Sequence, residues 1–374
     1  MHEQEIVKNG MRTAVPAKEK RKRLDALDAA RGLAVIGMYV QHFASNERNG
    51  FVSGNTMILF MLCSGIAYTI MVQGMLEKNP DRKFLNTRIL ARSVFIDLAG
   101  YFLILLNGPF AVVLTAYAML FILALPLIRL SENVLFIVSG ILYFVSPPLM
   151  LVGMSLFWEA AILSDIAGGP LSALAWAPVF VAGMAIGRLD LHDKKNMLRF
   201  IIVGIIILIP VKLVETFVLP GLLQSYTEWY SANAAAVNAE IDTYAAWPKN
   251  TEPVMWHMLF VSMPQGGSTC ELLAGTGGSL ILFAVFLLIG EKYQKLLKPF
   301  CNAGKLALTL YVLQIAAGWE ILMFGGENMD IGIGGVPFGD VIIIVLVILL
   351  AWIFTKFKIR PFEVMIRKFE NLFI

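Results

Sequence analysis

The chain has 374 residues, of which 58% are hydrophobic and only 15% charged, and its formal net charge is +3. Its mean hydropathy is +0.72. A soluble globular domain is typically about 45–50% apolar and about 25% charged, so the composition lies outside that class. Disordered, collagen-like and disulfide-scaffold proteins are excluded as well, and no nucleic-acid partner is expected. The three cysteines, Cys63, Cys270 and Cys301, have no metal-ligand spacing, so no metal site is expected. The sequence predicts a multi-pass membrane protein whose first partner is the lipid bilayer.

Ten stretches of the chain are apolar over about 20 residues, the length that crosses the hydrocarbon core as a helix. In chain order they are 26–46, 55–76, 88–106, 110–130, 133–152, 169–187, 197–218, 271–290, 304–324 and 339–357. A further apolar segment, Met255–Met263, is too short to span and is expected to be a re-entrant turn or the start of a longer eighth helix. The sequence therefore predicts an all-α bundle of about ten transmembrane helices.

Lysine and arginine are concentrated in alternate connections between these stretches. Only Arg48 and Lys249 lie in the remaining loops, which instead carry most of the acidic loop residues. Cytoplasmic loops of membrane proteins are enriched in Lys and Arg, so both termini are predicted to be cytoplasmic. This asymmetry suits the plasma membrane of a bacterium, and we expect the protein there.

The chain divides into a polar tail and one membrane domain. Residues 1–20 lack apolar periodicity and are predicted to be a disordered cytoplasmic tail, and residues 21–374 a single domain. The connection 219–269 is then extracytoplasmic. Its aromatic residues favour an interfacial helix, and the alternative is a lid over an outward-facing site. A homodimer is compatible with the sequence.

The first helix carries the densest set of ionisable residues, Asp28, Arg31 and His42. Ionisable groups within a span are costly, so each is a candidate functional residue. Arg31 and His42 are eleven positions apart, which places them on one helix face and separates them by about 16 Å along the axis. Asp28 lies one turn before Arg31 and can pair with it. The alternative is that Asp25, Asp28 and Arg31 mark the inner membrane interface and His42 the outer one.

Other polar residues interrupt the apolar stretches. Asp97 and Tyr101 lie one turn apart and form a candidate polar pair, unless Asp97 serves only packing specificity. Lys212 and Glu215 are interpreted as a self-neutralising pair. His257 is a second histidine on the predicted outer side. The remaining intramembrane polar candidates are Gln265, Glu271, Thr309, Tyr311 and Gln314.

The stretch Leu27-Asp-Ala-Ala-Arg-Gly32, with His42 ten residues further on, resembles the signature of the transmembrane acyltransferase superfamily. Within it, the chain is most similar to the YeiB-type branch of uncharacterised membrane proteins, related to heparan-alpha-glucosaminide N-acetyltransferase. The resemblance runs in order from about residue 22 to residue 368. The supporting segments are 60–65, 114–120, 176–178, 182–191, 271–278, 304–314 and 360–363.

The resemblance implies acyl transfer from cytoplasmic acyl-CoA, such as acetyl-CoA, to a sugar or other hydroxyl or amine acceptor across the membrane. By position, His42 would be the catalytic residue and general base. Arg31, with Asp28, would help to bind the donor, and the basic residues Arg92 and Lys305 would attract the polyanionic CoA.

One position departs from the branch: many of its members have a histidine after the proline that precedes the eighth span, where this chain has Gln265. His257 is the candidate to replace it. The alternatives to acyl transfer are a multi-pass transporter, with Asp97, His42 and the Lys212–Glu215 pair as a proton relay or substrate path, and a non-catalytic membrane protein.

Overall fold

The fold is all-helical in a computed structural model that describes residues 24–106, 108, 110–157, 160–237, 254–325, 333 and 335–373. Within these ranges there are fourteen α-helices, three short 3₁₀ turns and no strand. The predicted tail 1–20 and much of the predicted outer loop lie outside the described residues. The helices are α1 (Asp25–Phe43), α2 (Asn55–Lys78), α3 (Arg82–Leu105), α4 (Leu114–Leu123), α5 (Glu132–Phe157), α6 (Ala161–Ala167), α7 (Ala173–Ile186), α8 (Lys194–Phe217), α9 (Leu219–Val237), α10 (Thr269–Lys292), α11 (Gln294–Lys305), α12 (Ala307–Gly325), α13 (Gly339–Lys356) and α14 (Pro361–Glu370).

Several helix starts follow from local capping. The Asp81 carboxylate accepts from the backbone N–H of Lys83 at 2.9 Å and starts α3. Asp193 caps α8 in the same way. These side chains satisfy backbone donors that have no partner within the first helical turn. Pro361 opens α14, where its missing N–H removes no helical hydrogen bond.

Among the described residues, five helical segments are long and apolar enough to cross a membrane: Gly50–Lys78, Glu132–Phe157, Lys194–Phe217, Thr269–Gly290 and Gly339–Lys356. The consecutive helices α11 and α12 make a sixth if they are counted together, although they meet at a bend of 64°. In the most apolar segments of α8 and α13, only 17% of the residues are buried, so both helices present apolar faces outward. Such faces mark a membrane or partner contact in a folded protein. The architecture is consistent with a membrane protein.

Three of the predicted stretches are not continuous long helices. The stretch 169–187 contains α7, which is only 14 residues long. The stretch 110–130 contains α4, which is 10 residues long, followed by a 3₁₀ turn at Pro126–Arg129. The stretch 304–324 is broken at Leu306, between α11 and α12. The short apolar segment Met255–Met263 forms a 3₁₀ turn, Trp256–Phe260, that ends well before α10 begins. It is therefore not the start of a longer eighth helix.

Helix α1 lies at the centre of the bundle and packs on α2, α10, α11, α12 and α13. Its closest crossing is with α11, where Gly32 faces Gly304. A Cβ on Gly32 would lie 1.9 Å from the Phe300 carbonyl oxygen, and one on Gly304 would lie 1.8 Å from the Asp28 carbonyl oxygen. Small residues let helix backbones approach this closely in membrane proteins. The crossing fixes the helix that carries Arg31 and His42.

The C-terminal helix α14 is held against the bundle by two carboxylates. Glu370 is 1% exposed and pairs with Arg88 at 3.0 Å and Arg92 at 2.6 Å on α3. Glu363 accepts from the backbone N–H and the hydroxyl of Thr309, at the start of α12. Helix α14 therefore ties the start of α12 to α3.

Candidate functional site

A cavity of about 230 Å³ lies at the end of the bundle where α1 ends and where α2, α4 and α10 begin. Its wall combines apolar side chains with His42, a tyrosine hydroxyl and three amides. This volume is below the roughly 300–1,000 Å³ of sites for drug-sized ligands, so it suits a small ligand or one group of a larger molecule. The lining residues are Met38, Gln41, His42, Met57, Phe110, Ala111, Val113, Leu171, Gln265, Tyr311 and Gln314.

His42 is the penultimate residue of α1, and its ring is fixed by aromatic contacts. It stacks on Phe110 with a centroid distance of 4.1 Å and an interplanar angle of 6°, and it meets Phe43 edge-on at 6.4 Å. Phe110 is itself held over Gly318, where a Cβ would lie 2.3 Å from the ring. The Nδ1 atom of His42 is buried and has no hydrogen-bond partner among the described residues. The imidazole is thus oriented by packing, with one ring nitrogen left unpaired.

Tyr311 and Gln314 project from α12 into the same cavity, because residues three apart lie on one helix face. The Tyr311 hydroxyl accepts from the backbone N–H of Val113 at 3.0 Å, which orders the segment before α4 and leaves the hydroxyl hydrogen able to donate. Gln314 is 0% exposed, and neither Oε1 nor Nε2 has a partner within the described part of the chain. A buried polar group left unpaired costs about 1–3 kcal/mol, so these atoms favour a bound ligand or water.

Gln265 reaches the cavity from the loop before α10, and Glu271 holds that loop in place. The Glu271 carboxylate accepts from the backbone N–H groups of Gln265 at 2.5 Å and Gly267 at 2.7 Å. The Ser268 hydroxyl accepts from the Glu271 N–H at 3.4 Å and caps α10. Gln265 has a φ of 62°, in the left-handed region that a non-glycine residue seldom adopts. Glu271 is therefore a positioning residue for Gln265 rather than a lining residue of the cavity.

Arg31 does not line the cavity. Because α1 is unbroken from Asp25 to Phe43, the separation of about 16 Å expected from helical rise applies to Arg31 and His42. The Nε atom of Arg31 is buried without a hydrogen-bond partner in the described ranges. Asp28 is 6% exposed, and its backbone touches Gly304, which directly precedes Lys305. The structure thus brings Arg31, Asp28 and Lys305 into one region at the beginning of α1.

Two predicted site residues have partners elsewhere. Arg92 is engaged by Glu370 and Thr309 by Glu363, as described for α14. Both side chains serve the attachment of the C-terminal helix in this structure. No pattern in the sequence indicates Glu370, which lies 278 positions from Arg92.

The remaining polar candidates lie outside the cavity. The Tyr101 hydroxyl donates to the Asp165 carboxylate at 2.6 Å, and this hydrogen bond joins α3 to α6. Oδ1 of Asp97 is buried without a partner among the described residues, so Tyr101 pairs with Asp165 and not with Asp97. Lys212 and Glu215 contact each other at 2.5 Å, which confirms the self-neutralising pair.

His257 is half-buried in its 3₁₀ turn and is not among the residues that line the cavity. Burial lowers the pKa of its imidazole. Gln265, and not His257, shares the cavity with His42. Phe110 also belongs to this site, and no periodicity or motif in the sequence signals it.

Comparison with known families finds a match in the C-terminal third of the chain. Residues 250–372 match the family described as protein of unknown function (DUF418). The match covers about a third of the chain and includes Gln265, Glu271, Tyr311 and Gln314, but not α1. The comparison with curated proteins finds no match.

Proposed function

We propose that this protein is a membrane-bound acyltransferase that moves an acyl group, such as acetyl, from cytoplasmic acyl-CoA to a hydroxyl or amine acceptor on the other side of the membrane. The observation that carries the proposal is His42, which has an unpaired Nδ1 in a cavity that also contains hydrogen-bond donors from Tyr311 and Gln314. The resemblance of the first helix to the transmembrane acyltransferases supports the same chemistry.

The reaction assigns one role to each of these groups. The acceptor oxygen or nitrogen attacks the thioester carbonyl carbon while His42 removes its proton. The new C–O or C–N bond forms, the C–S bond breaks, and the proton passes from His42 to the departing sulfur, giving free CoA. Tyr311 and Gln314 supply donors for the negative charge that develops on the carbonyl oxygen.

The donor enters at the opposite end of α1. Arg31 has an unpaired Nε and binds phosphate or the polar pantetheine end, with Lys305 adding positive charge nearby. Arg92 is omitted from this role because Glu370 already binds its guanidinium. An extended pantetheine arm would carry the thioester along the α1 face toward His42.

Transfer across a membrane also requires a defined membrane topology of the helices. We propose about ten spans in a plasma membrane. Those beyond the five long apolar segments are built from α1, α3, the short helices α4 and α7, and the bent pair α11–α12. The positive-inside distribution then places both termini and Arg31 on the cytoplasmic side, and the cavity on the outer side. Cysteine accessibility scanning of the loops in intact cells tests this arrangement.

The first test is ligand-dependent thermal stability of the purified protein in lipid nanodiscs. Acetyl-CoA at 100 times its Kd should stabilise the folded state by about 2.7 kcal/mol. The shift should fall in Arg31→Ala but persist in Arg82→Ala, a matched change at an exposed arginine. The absence of a shift with any CoA thioester would contradict the proposal.

The second test separates catalysis from binding. His42→Gln should retain the acetyl-CoA shift and lose acyl transfer, whereas His257→Gln should retain both. Transfer that survives in His42→Gln would refute the role of His42. Uptake of a labelled solute into proteoliposomes without any thioester would favour the transporter alternative.

A further inference from the structure

The cavity beside His42 has a polar but uncharged wall. Its hydrogen-bonding side chains are Gln41, Gln265, Gln314 and Tyr311, and no Asp, Glu, Lys or Arg is among its lining residues in the described structure. The Glu271 carboxylate, which contacts the loop that carries Gln265, already accepts hydrogen bonds from backbone N–H groups of that loop. An ammonium or carboxylate entering the cavity would therefore lose hydration without meeting an opposite charge.

Amide side chains are suited to hydroxyl groups because each offers two donors and an acceptor. Gln314 is the decisive one, since it is fully buried and neither end of its amide is paired within the described residues. The hydroxyls of Ser64 and Ser172 are also buried without a partner among the described residues, but Gln314 differs from them because its side chain lines the cavity. A fully buried amide with both ends open is thus a site for a ligand that both donates and accepts.

We infer that the cavity binds an uncharged, hydroxyl-bearing ligand through Gln314, Gln265 and Gln41, and that the acceptor is a neutral alcohol rather than an amine. This inference rests on the proposed function for its last step. There the acceptor O–H loses its proton to His42, the C–O bond forms as the C–S bond breaks, and the products are an ester and free CoA. The apolar portion of the wall, which includes Phe110, covers the carbon skeleton of a compact polyol or of one sugar ring.

The binding test uses glucose and glucosamine, which differ at one position and, near neutral pH, by one positive charge. Titration calorimetry on the full chain in nanodiscs avoids glycoside detergents that would compete. Glucose should bind at least tenfold more tightly than glucosamine. Equal affinity, or tighter binding of glucosamine, would overturn the inference.

Two variants identify the residues responsible. Gln314→Leu should weaken glucose binding about tenfold and raise the Tm, because it removes an unpaired buried amide; a structural role would lower the Tm instead. Gln224→Leu, at an exposed position on α9, is the matched control and should change neither quantity. Gln41→Glu, at the partly exposed rim, should reverse the preference toward glucosamine, and an unchanged preference would contradict the assignment of this cavity.

The outcomes for this inference and for the proposed function are separable. Glucose binding that depends on Gln314, in a protein that neither binds nor consumes acyl-CoA, supports the ligand class and refutes the acyltransferase. Acyl-CoA consumption with amine acceptors and no glucose binding supports the acyltransferase and refutes the neutral ligand.

Discussion

A single methyl group added at Gly32 should directly disturb the packing of α1 on α11. A Cβ there would lie 1.9 Å from the Phe300 carbonyl oxygen, whereas real Cβ atoms essentially never approach within 3.0 Å. The backbones of α1 and α11 would therefore have to separate locally by at least 1.1 Å, the difference between these values. Because the obstructing atom is backbone, no rotamer change relieves the contact.

We expect Gly32→Ala to destabilise the folded state by about 1–3 kcal/mol, the usual range for overpacking. The assay is thermal unfolding in nanodiscs, followed by intrinsic tryptophan fluorescence. Gly74→Ala is the matched control, since it lies within α2 with no atom in 4 Å of its added Cβ. Its Tm should remain equal or rise, because alanine favours a helix over glycine by about 1 kcal/mol.

A double variant sharpens the test. Gly304→Ala meets the same crossing from the other side, 1.8 Å from the Asp28 carbonyl oxygen. Once the helices have separated, the second methyl group meets less resistance, so the combined loss of stability should be smaller than the sum of the single losses. Strict additivity, or a wild-type Tm for Gly32→Ala, would refute the close crossing of α1 and α11.

Three further predictions concern the C-terminal helix, the site and the 3₁₀ turn Trp256–Phe260. Glu370→Gln should destabilise the protein by about 1–3 kcal/mol and should speed tryptic release of α14. The loss of stability should be smaller than that from breaking a fully buried ion pair, because the two arginines of α3 are partly exposed. An unchanged Tm would contradict this prediction. Gly318→Ala should displace Phe110 from the His42 ring and reduce acyl transfer more than acyl-CoA binding, and equal losses in both would argue against the stack. Burial lowers the pKa of His257, so the unfolded chain binds the proton more tightly and stability should fall as the pH drops below about 6.5; Tm measured against pH should lose this component in His257→Gln.

Much of the secondary structure was predictable because helix formation and hydropathy depend on residues close together in the chain. The predicted first stretch, 26–46, corresponds closely to α1, and 197–218 to α8. The same local argument places Arg31 and His42 on one helix with a known rise. It cannot detect a break such as that at Leu306, because apolar residues continue on both sides of it.

The assembly of the site depends on contacts between residues far apart in the chain. His42 meets Phe110 and shares a cavity with Gln265 and Gln314, and the sequence marks the three polar residues as candidates without indicating that they converge. From the sequence, Arg92 is a candidate cation for attracting acyl-CoA, but in the structure its guanidinium is paired with the Glu370 carboxylate. Local sequence thus determined most of the helices and their apolar character, since each is set by a helix's own residues. Only the tertiary structure decided which charges are neutralised and which polar groups stay unpaired, because both depend on the neighbours that packing supplies.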